Sequence, residues 1–364
     1  MQSAEEKLVD AACAGDIPRL RQTLACRSPI NWSNQEGYTA LYLAAKHGHD
    51  TVVTELLVHG ADVDRVNKNA RSPLYIASQY GYVEVVKTLL AHGASVHAAD
   101  IDGFTPLNIA ADKGHVRVVD ILLAYGADIN CGDLKGTTPL ITAAKKGKTD
   151  VVKHLLAHTP NGDVAAEDGW TLLSGVSDDD DDDDFVSYDA VEKSCHGVVR
   201  VDLAAEDGTT PLLTASKYGH LEIVAALLAH GATVEATTKR GYSPLYLASK
   251  KGHAAVVDLL LTHGAKINHT NMNHRTPLYI ASQNGFAAIA TTLLAHGATP
   301  DLADHEGWTP INIAAVKGRA DVVALLLEHG ADRELTSNDG STPLMNASKK
   351  GRVEVVKLLM GRSD

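Results

Sequence analysis

Histidine is the residue of this 364-residue chain that most invites a chemical role, because imidazole binds metal ions and transfers protons near neutral pH. Seven of the eighteen histidines recur at one position of a repeating pattern: His59, His92, His158, His230, His263, His296 and His329. If neighbouring repeats pack as helices side by side, equivalent histidines lie roughly 10 Å apart, which is too far for two of them to bind one metal ion. We therefore expect these histidines to cap helix ends and not to coordinate a metal.

Seven consecutive aspartates, Asp178 to Asp184, form the second group of side chains with chemical potential. Carboxylates are good ligands for Ca²⁺ and Mg²⁺, but this run lacks the spaced, glycine-containing pattern of a binding loop. Adjacent like charges repel one another in any compact form, which predicts a solvated, disordered loop. Its role stays open between a plain spacer and an electrostatic competitor for an acidic ligand.

Catalytic signatures are missing from the rest of the chain. The sequence has no HExxH, P-loop, GxGxxG or GxSxG motif, and its four cysteines are scattered without a CxxC pair. We predict a non-enzymatic protein with no catalytic residue, no cofactor and no metal. The net charge of -12 is local, since residues 163–207 hold fifteen acidic and two basic side chains and the remainder sums to about +1. A nearly neutral body argues against nonspecific nucleic-acid binding.

The elements that position these residues follow a period of 33. Pro73, Pro106 and Pro139 are 33 residues apart, and so are Pro211, Pro244, Pro277, Pro310 and Pro343. Each proline follows a Thr or Ser that can cap a helix, and proline at the first helical position needs no hydrogen-bond acceptor. A glycine ends this first helix, and a Val-Val-x-x-Leu-Leu pattern predicts a second. Because one such pair cannot bury its apolar face, the pairs must stack into an all-α solenoid.

This pattern of Thr-Pro-Leu, Ala, Gly, Leu-Leu and Gly-Ala resembles the ankyrin repeat family over nearly the whole chain. The resemblance implies about eleven helix–turn–helix repeats with β-turn or hairpin tips, one central repeat being degenerate. Family members commonly carry His after Pro-Leu and use it in a hydrogen-bond network between repeats, which we do not expect here. That slot holds Tyr42, Tyr75, Asn108, Ile141, Leu213, Tyr246, Tyr279, Asn312 and Met345.

A second period shows that the repeats were copied as a block. Residues 37–49 resemble 241–253, and 71–81 resemble 275–285, both with an offset of 204. We predict repeats one to five over 1–166, with a divergent N-terminal capping repeat over 1–33, and repeats seven to eleven over 204–364. Between them, 167–203 is expected to be a degenerate repeat with the disordered poly-Asp insertion, and to be the weakest joint of the stack.

The resemblance also implies a binding surface made of turn tips and of the exposed face of each first helix. The tips offer further cations, including Lys135, Lys239 and Arg240, and lysines such as Lys145, Lys217 and Lys250 end first helices. Those lysines either complement the helix dipole or line the groove. The predicted partner-binding residues are Tyr38, Tyr42, Arg71, Tyr75, Tyr80, Phe104, Lys113, Lys146, Tyr242, Tyr246, Lys251, Arg275, Tyr279, Trp308, Lys317 and Lys350.

The function that we expect is a protein-interaction scaffold or adaptor that holds one or two protein partners. Two alternatives stay open: binding of a nucleic acid or a phosphorylated small ligand by groove lysines and tyrosines, and a targeting subunit of a kinase or ubiquitin-ligase complex. The acidic N-terminus is unlike a signal peptide, and no apolar run is long enough to span a bilayer. We expect a monomer without membrane contact, in the cytoplasm or the nucleus.

Overall fold

Twenty helices, arranged as ten consecutive pairs, make up the part of the chain that the structure describes. The structure, a computed structural model, describes residues 3–26, 28–158 and 197–361. The helices are α1 (Ala4–Ala14), α2 (Ile17–Ala25), α3 (Ala40–His47), α4 (Asp50–Val58), α5 (Pro73–Tyr80), α6 (Val83–Ala91), α7 (Pro106–Lys113), α8 (Val116–Ala124), α9 (Pro139–Lys145), α10 (Thr149–Ala157), α11 (Pro211–Tyr218), α12 (Leu221–Ala229), α13 (Pro244–Lys251), α14 (Ala254–Thr262), α15 (Pro277–Asn284), α16 (Ala287–Ala295), α17 (Pro310–Lys317), α18 (Ala320–Glu328), α19 (Pro343–Lys349) and α20 (Val353–Leu359). In those ranges the backbone forms no strand longer than a single bridge between Ser33 and Thr39.

The first helix of each pair starts and stops where local chemistry requires. Before α7, the Thr105 hydroxyl accepts a hydrogen bond from the backbone N–H of Asn108 at 3.2 Å, and Pro106 occupies the first turn. The helix ends at Gly114, whose φ of 87° is a left-handed conformation that glycine adopts without strain. A Ser or Thr caps the first helix in all ten described pairs, as the sequence predicts.

Neighbouring pairs stack in sequence order, and their leucines, valines and alanines form one core that continues from Leu8 to Leu359. From the second pair on, the residue before the second helix packs against the glycine that follows the previous first helix, and in several pairs its side chain also bonds to a backbone carbonyl of that helix. The His115 Nε2 lies 3.0 Å from the Gln79 carbonyl oxygen, and the Arg352 Nε donates to the Val316 carbonyl oxygen at 3.2 Å. The all-α solenoid is therefore confirmed. In the described ranges, no helix has the length and apolar character that crossing a membrane requires.

The stack is continuous where the sequence predicts a broken repeat. Helix α9 packs directly on α11, and α10 packs on α12. The backbone N–H of Glu206 donates to the Lys135 carbonyl oxygen at 2.9 Å, which repeats the tip-to-tip bond between Leu134 and Asp102 at 3.1 Å. Residues 197–203 belong to the turn that leads into α11, so the described helices on either side are neighbours. The predicted degenerate repeat, with its poly-Asp insertion, falls mostly on 159–196, outside the described residues.

Candidate functional site

The predicted binding residues lie on one face of the solenoid, at three positions of the repeat. Each position is counted from the first residue of the first helix in that repeat. The tip position lies two residues before it, the floor position two residues after it, and the rim position seven residues after it. We call the surface that these positions form the groove face. A depression in it is lined by members of all three classes, namely Thr137, Thr209 and Tyr242 at the tip, Ile141 and Leu213 at the floor, and Tyr218 and Lys251 at the rim.

The four predicted floor tyrosines are buried and do not form part of the exposed surface. Tyr42, Tyr75, Tyr246 and Tyr279 are each only 2–3% exposed. Burial raises the pKa of Tyr42 and Tyr246 to about 12, and it raises the pKa of Tyr75 and Tyr279 as well. Their rings support the tips and leave almost no area for a partner to contact, contrary to the expectation that they are exposed in the groove.

In two repeats the tip tyrosine covers the floor tyrosine of the same repeat. The rings of Tyr38 and Tyr42 stack with centroids 4.9 Å apart, and those of Tyr242 and Tyr246 stack at 5.0 Å. A lysine lies over each outer ring, with Lys250 Nζ at 5.3 Å from the Tyr242 centroid. Stacked aromatic pairs add about 0.5–1.5 kcal/mol beyond the area that they bury. Tyr38 and Tyr242 are therefore held in place, partly exposed, at the upper edge of the groove face.

Arg71 and Arg275 form ties between successive tips. Each guanidinium lies 5.2 Å from the ring centroid of its floor tyrosine. The Arg71 Nε donates to Asp100 Oδ2 at 3.3 Å, and the Arg275 Nε donates to Asp304 Oδ2 at 3.1 Å. Both aspartates are buried, so these arginines, about one-third exposed, serve internal structure and offer a partner only part of their surface.

Phe104 and Trp308, the other two predicted tip residues, lie at the turns held by these aspartates. The backbone N–H of Phe104 donates to Asp100 Oδ1 at 3.0 Å, and that of Trp308 donates to Asp304 Oδ1 at the same distance. Both side chains are of intermediate exposure. Their backbone is fixed in ordered turns, which limits the conformational entropy that binding would cost.

The rim positions are exposed. They hold the predicted residues Tyr80, Lys113, Lys146, Lys251, Lys317 and Lys350. Lys113 and Lys146 share Asp112, with Nζ-to-oxygen distances of 2.7 Å and 3.5 Å. Although burial raises the pKa of Asp112, these two ammonium groups more than offset it and lower the pKa below its ordinary value. At this place one carboxylate offsets part of the positive charge of the rim.

The depression at α9, α11 and α13 has a different charge balance. Its volume is about 900 Å³, and its lining brings together seven cationic side chains: Lys135, Lys145, Lys217, Lys239, Arg240, Lys250 and Lys251. Two acidic residues, Glu206 and Asp207, also line it. The sequence indicates each of these cations singly, but it does not place Lys135 and Lys145 beside Lys217, because it predicts a further repeat between them.

The comparison with known families agrees with this geometry. A family model described as ankyrin repeats (3 copies) matches residues 8–100, 97–168, 185–271, 235–304 and 278–364. The chain belongs to the ankyrin repeat family. Ankyrin repeats are generic protein–protein interaction modules, and proteins built from them are typically non-enzymatic scaffolds. The matched segments omit 169–184, which contains the poly-Asp run, and no curated protein matches the chain.

The recurring histidines of these ankyrin repeats cap the second helices. In six of the repeats, Nδ1 lies 2.8–2.9 Å from the backbone carbonyl oxygen four residues earlier. A side chain that satisfies a terminal carbonyl removes one of the unpaired groups at a helix end. No group of three or more potential metal ligands occurs within 3–26, 28–158 or 197–361. The six residues are His59, His92, His230, His263, His296 and His329.

Proposed function

We propose that this ankyrin repeat protein is a non-enzymatic scaffold or adaptor that holds protein partners on the groove face. The observation that carries the proposal is the combination of exposed rim cations with tip aromatics anchored in ordered turns. Aromatic and cationic side chains dominate the binding energy of many protein interfaces. A targeting role within a kinase or ubiquitin-ligase complex is one form that such a scaffold takes.

The two copied blocks present different surfaces, which favours two different partners over two copies of one. Tyr38 and Tyr242 occupy equivalent positions, as do Lys46 and Lys250. In the same turns, however, Gln35 and Glu36 in the first block stand where Lys239 and Arg240 stand in the second. A charge difference at the edge of an interface changes which partner is attracted. The duplicated scaffold is therefore expected to bind a different partner with each block.

A second candidate is binding of a phosphorylated small ligand or a nucleic acid, which the cationic depression favours. Against it, the cations are concentrated in a few repeats, and Arg71, Lys113 and Lys146 elsewhere on the groove face are paired with carboxylates. Nucleic-acid binding draws on a basic surface that follows the phosphate backbone. A protein partner therefore fits the charge distribution better.

Cross-linking from defined positions tests the proposal. A photoreactive phenylalanine analogue at Tyr80, Lys113 or Lys317 is expected to capture the same protein partners from an extract. The same analogue at Val58 or Glu328, which lie on or at the ends of second helices, is expected to capture none of them. Mass spectrometry of the adducts identifies what is bound. Adducts only from the second-helix positions, or adducts to nucleic acid, would contradict the proposal.

The proposal includes modulation by the aspartates Asp178 to Asp184. They lie outside the described residues, so this part rests on charge alone: a run of seven carboxylates in the same chain competes with an acidic partner for the groove cations. Replacing all seven by asparagine is expected to strengthen partner binding about threefold or more at 50 mM salt, with a smaller effect at 300 mM. Titration of the intact and neutralised proteins measures this, and equal affinities at low salt would contradict it.

A further inference from the structure

The depression between α9, α11 and α13 has an excess of positive charge within the described part of the chain, since seven cationic and two acidic side chains line it. Within the described ranges, none of its seven cationic side chains lies within 4.0 Å of a carboxylate oxygen in an ion pair. Lys217 Nζ instead lies 5.5 Å from the Tyr218 ring centroid, and Lys250 Nζ lies 5.3 Å from that of Tyr242. Both ammonium groups are thus held over aromatic faces at the groove wall.

The exposed apolar surface of the same depression comes from two tyrosine rings. Tyr218 is 42% exposed and Tyr242 is partly exposed. Below them, Ile141, Leu213 and Leu247 are buried, and Tyr242 packs on the buried cluster that contains Leu213 and Leu247. A ligand that fits must therefore present anionic groups to the lysines and apolar groups to the two tyrosine rings.

The dimensions restrict the ligand further. The lining comes from three consecutive repeats, whose helices pack roughly 10 Å apart, which gives a length of about 20–30 Å. An extended peptide advances about 3.3 Å per residue and points alternate side chains to opposite sides. Six to nine residues of alternating acidic and apolar character would cover the depression with both kinds of contact.

From this geometry we propose that the depression binds an extended, acidic peptide segment of a partner protein, with alternate side chains against the two tyrosine rings and against the lysines. The inference rests on the proposed function, since it specifies which kind of protein segment the groove face accepts. A nucleic acid offers phosphates to the same cations, but these cations do not continue unpaired along the groove face, since the rim lysines Lys113 and Lys146 share Asp112.

The site belongs to the junction and is not duplicated. Lys135 and Lys145 come from the first block, whereas Lys217, Lys239, Arg240 and Lys251 come from the second. The first-block counterparts of those four second-block residues are Cys13, Gln35, Glu36 and His47. The direct packing of α9 on α11 therefore adds two first-block cations to five from the second block, and the complete site needs both blocks.

The test uses the full chain and a fluorescein-labelled peptide, Glu-Leu-Asp-Leu-Glu-Leu-Asp-Leu-Glu, with fluorescence polarisation as the readout. Binding is expected at 50 mM NaCl and is expected to weaken at least fivefold at 300 mM. The double variant Lys239→Glu/Arg240→Glu is expected to bind at least tenfold more weakly. The matched control Arg65→Glu/Lys68→Glu changes the net charge equally at exposed positions outside the depression and is expected to stay within twofold.

Four results would overturn the inference. The first is absence of peptide binding at 50 mM NaCl, both in the natural chain and in the chain with Asp178 to Asp184 replaced by asparagine. The second is equal weakening by the two double variants, and the third is tighter binding of a nine-nucleotide single strand than of the peptide. A peptide with Gln and Asn in place of Glu and Asp is expected to bind at least tenfold more weakly, and comparable binding of it would also count against the inference. Circular dichroism checks that the variants fold.

The cross-linking experiment separates a failure of this inference from a failure of the proposed function. If only this inference fails, partner cross-links from Tyr80, Lys113 or Lys317 still appear.

Discussion

Replacing Asp304 by alanine is expected to lower the free energy of unfolding by about 3 kcal/mol, since three hydrogen bonds to one buried carboxylate are lost. Its Oδ1 accepts from the backbone N–H groups of Glu306 and Trp308, both at 3.0 Å, and its Oδ2 accepts from Arg275 Nε at 3.1 Å. The carboxylate is 2% exposed, so water cannot fully replace these bonds. The variant also leaves the Arg275 guanidinium over Tyr279 without its counter-ion.

The equivalent aspartate of the first block provides a matched variant for the same measurement. Asp100 accepts the equivalent bonds from Asp102, Phe104 and Arg71, so Asp100→Ala is expected to cost about the same. Arg275→Met is expected to cost only about 1 kcal/mol, because Asp304 keeps its two backbone donors and the arginine is partly exposed. Urea unfolding monitored by circular dichroism measures all three. A loss below about 1 kcal/mol for both aspartate variants would show that these turns do not depend on the carboxylate.

The sequence predicts the repeats well because their determinants are local. Whether Thr105 caps α7, or whether Gly114 ends it, depends on residues within four positions, and the 33-residue period repeats that information. Stacking then follows, since an amphipathic helix pair has no other way to bury its leucines. The fold class could therefore be derived without knowledge of any contact between distant residues.

Exposure in the groove could not be derived in the same way. Tyr42 and Tyr246 lie on the face that points toward the groove, but Tyr38 and Tyr242 lie over them. Whether a tip side chain packs on the floor residue or stays exposed depends on the conformation of its turn. No simple sequence pattern predicts that conformation. As a result, tip and rim positions remain available to a partner while the floor tyrosines do not.

The packing of α9 on α11, between the two copied blocks, could not be predicted from the repeat period alone. The 204-residue offset of the blocks suggests a sixth repeat, and periodicity alone cannot tell whether that unit takes a place in the stack. A signal was nonetheless present: Ala-Ala-Glu-Asp-Gly occurs at 165–169 and again at 204–208, 39 positions later. Pro139 and Pro211 are 72 positions apart, which exceeds one 33-residue repeat by the same 39. A copied turn therefore allows α11 to follow α9 directly.

Substitution of Gly147 by alanine tests this direct packing and is expected to lower the free energy of unfolding by about 3 kcal/mol. Gly147 has a φ of +67°, and a Cβ there would lie 2.7 Å from Cε1 of His220, across the junction. The left-handed backbone costs an alanine about 1–2 kcal/mol, and forcing the ring aside adds about 1–3 kcal/mol. Gly81, which meets His115 within the first block, is expected to respond similarly.

The control is the counterpart of Gly147 in the second block. Gly351 has a φ of +65°, follows the same Lys-Lys pair, and would place its Cβ in open space within the described part of the chain. Gly351→Ala should therefore show only the backbone strain, about 1–2 kcal/mol, as should the internal and open Gly231→Ala. Urea unfolding of the four variants compares them. If Gly147→Ala costs no more than Gly351→Ala, then His220 does not pack on Gly147, and the cationic depression that depends on this packing does not form as described.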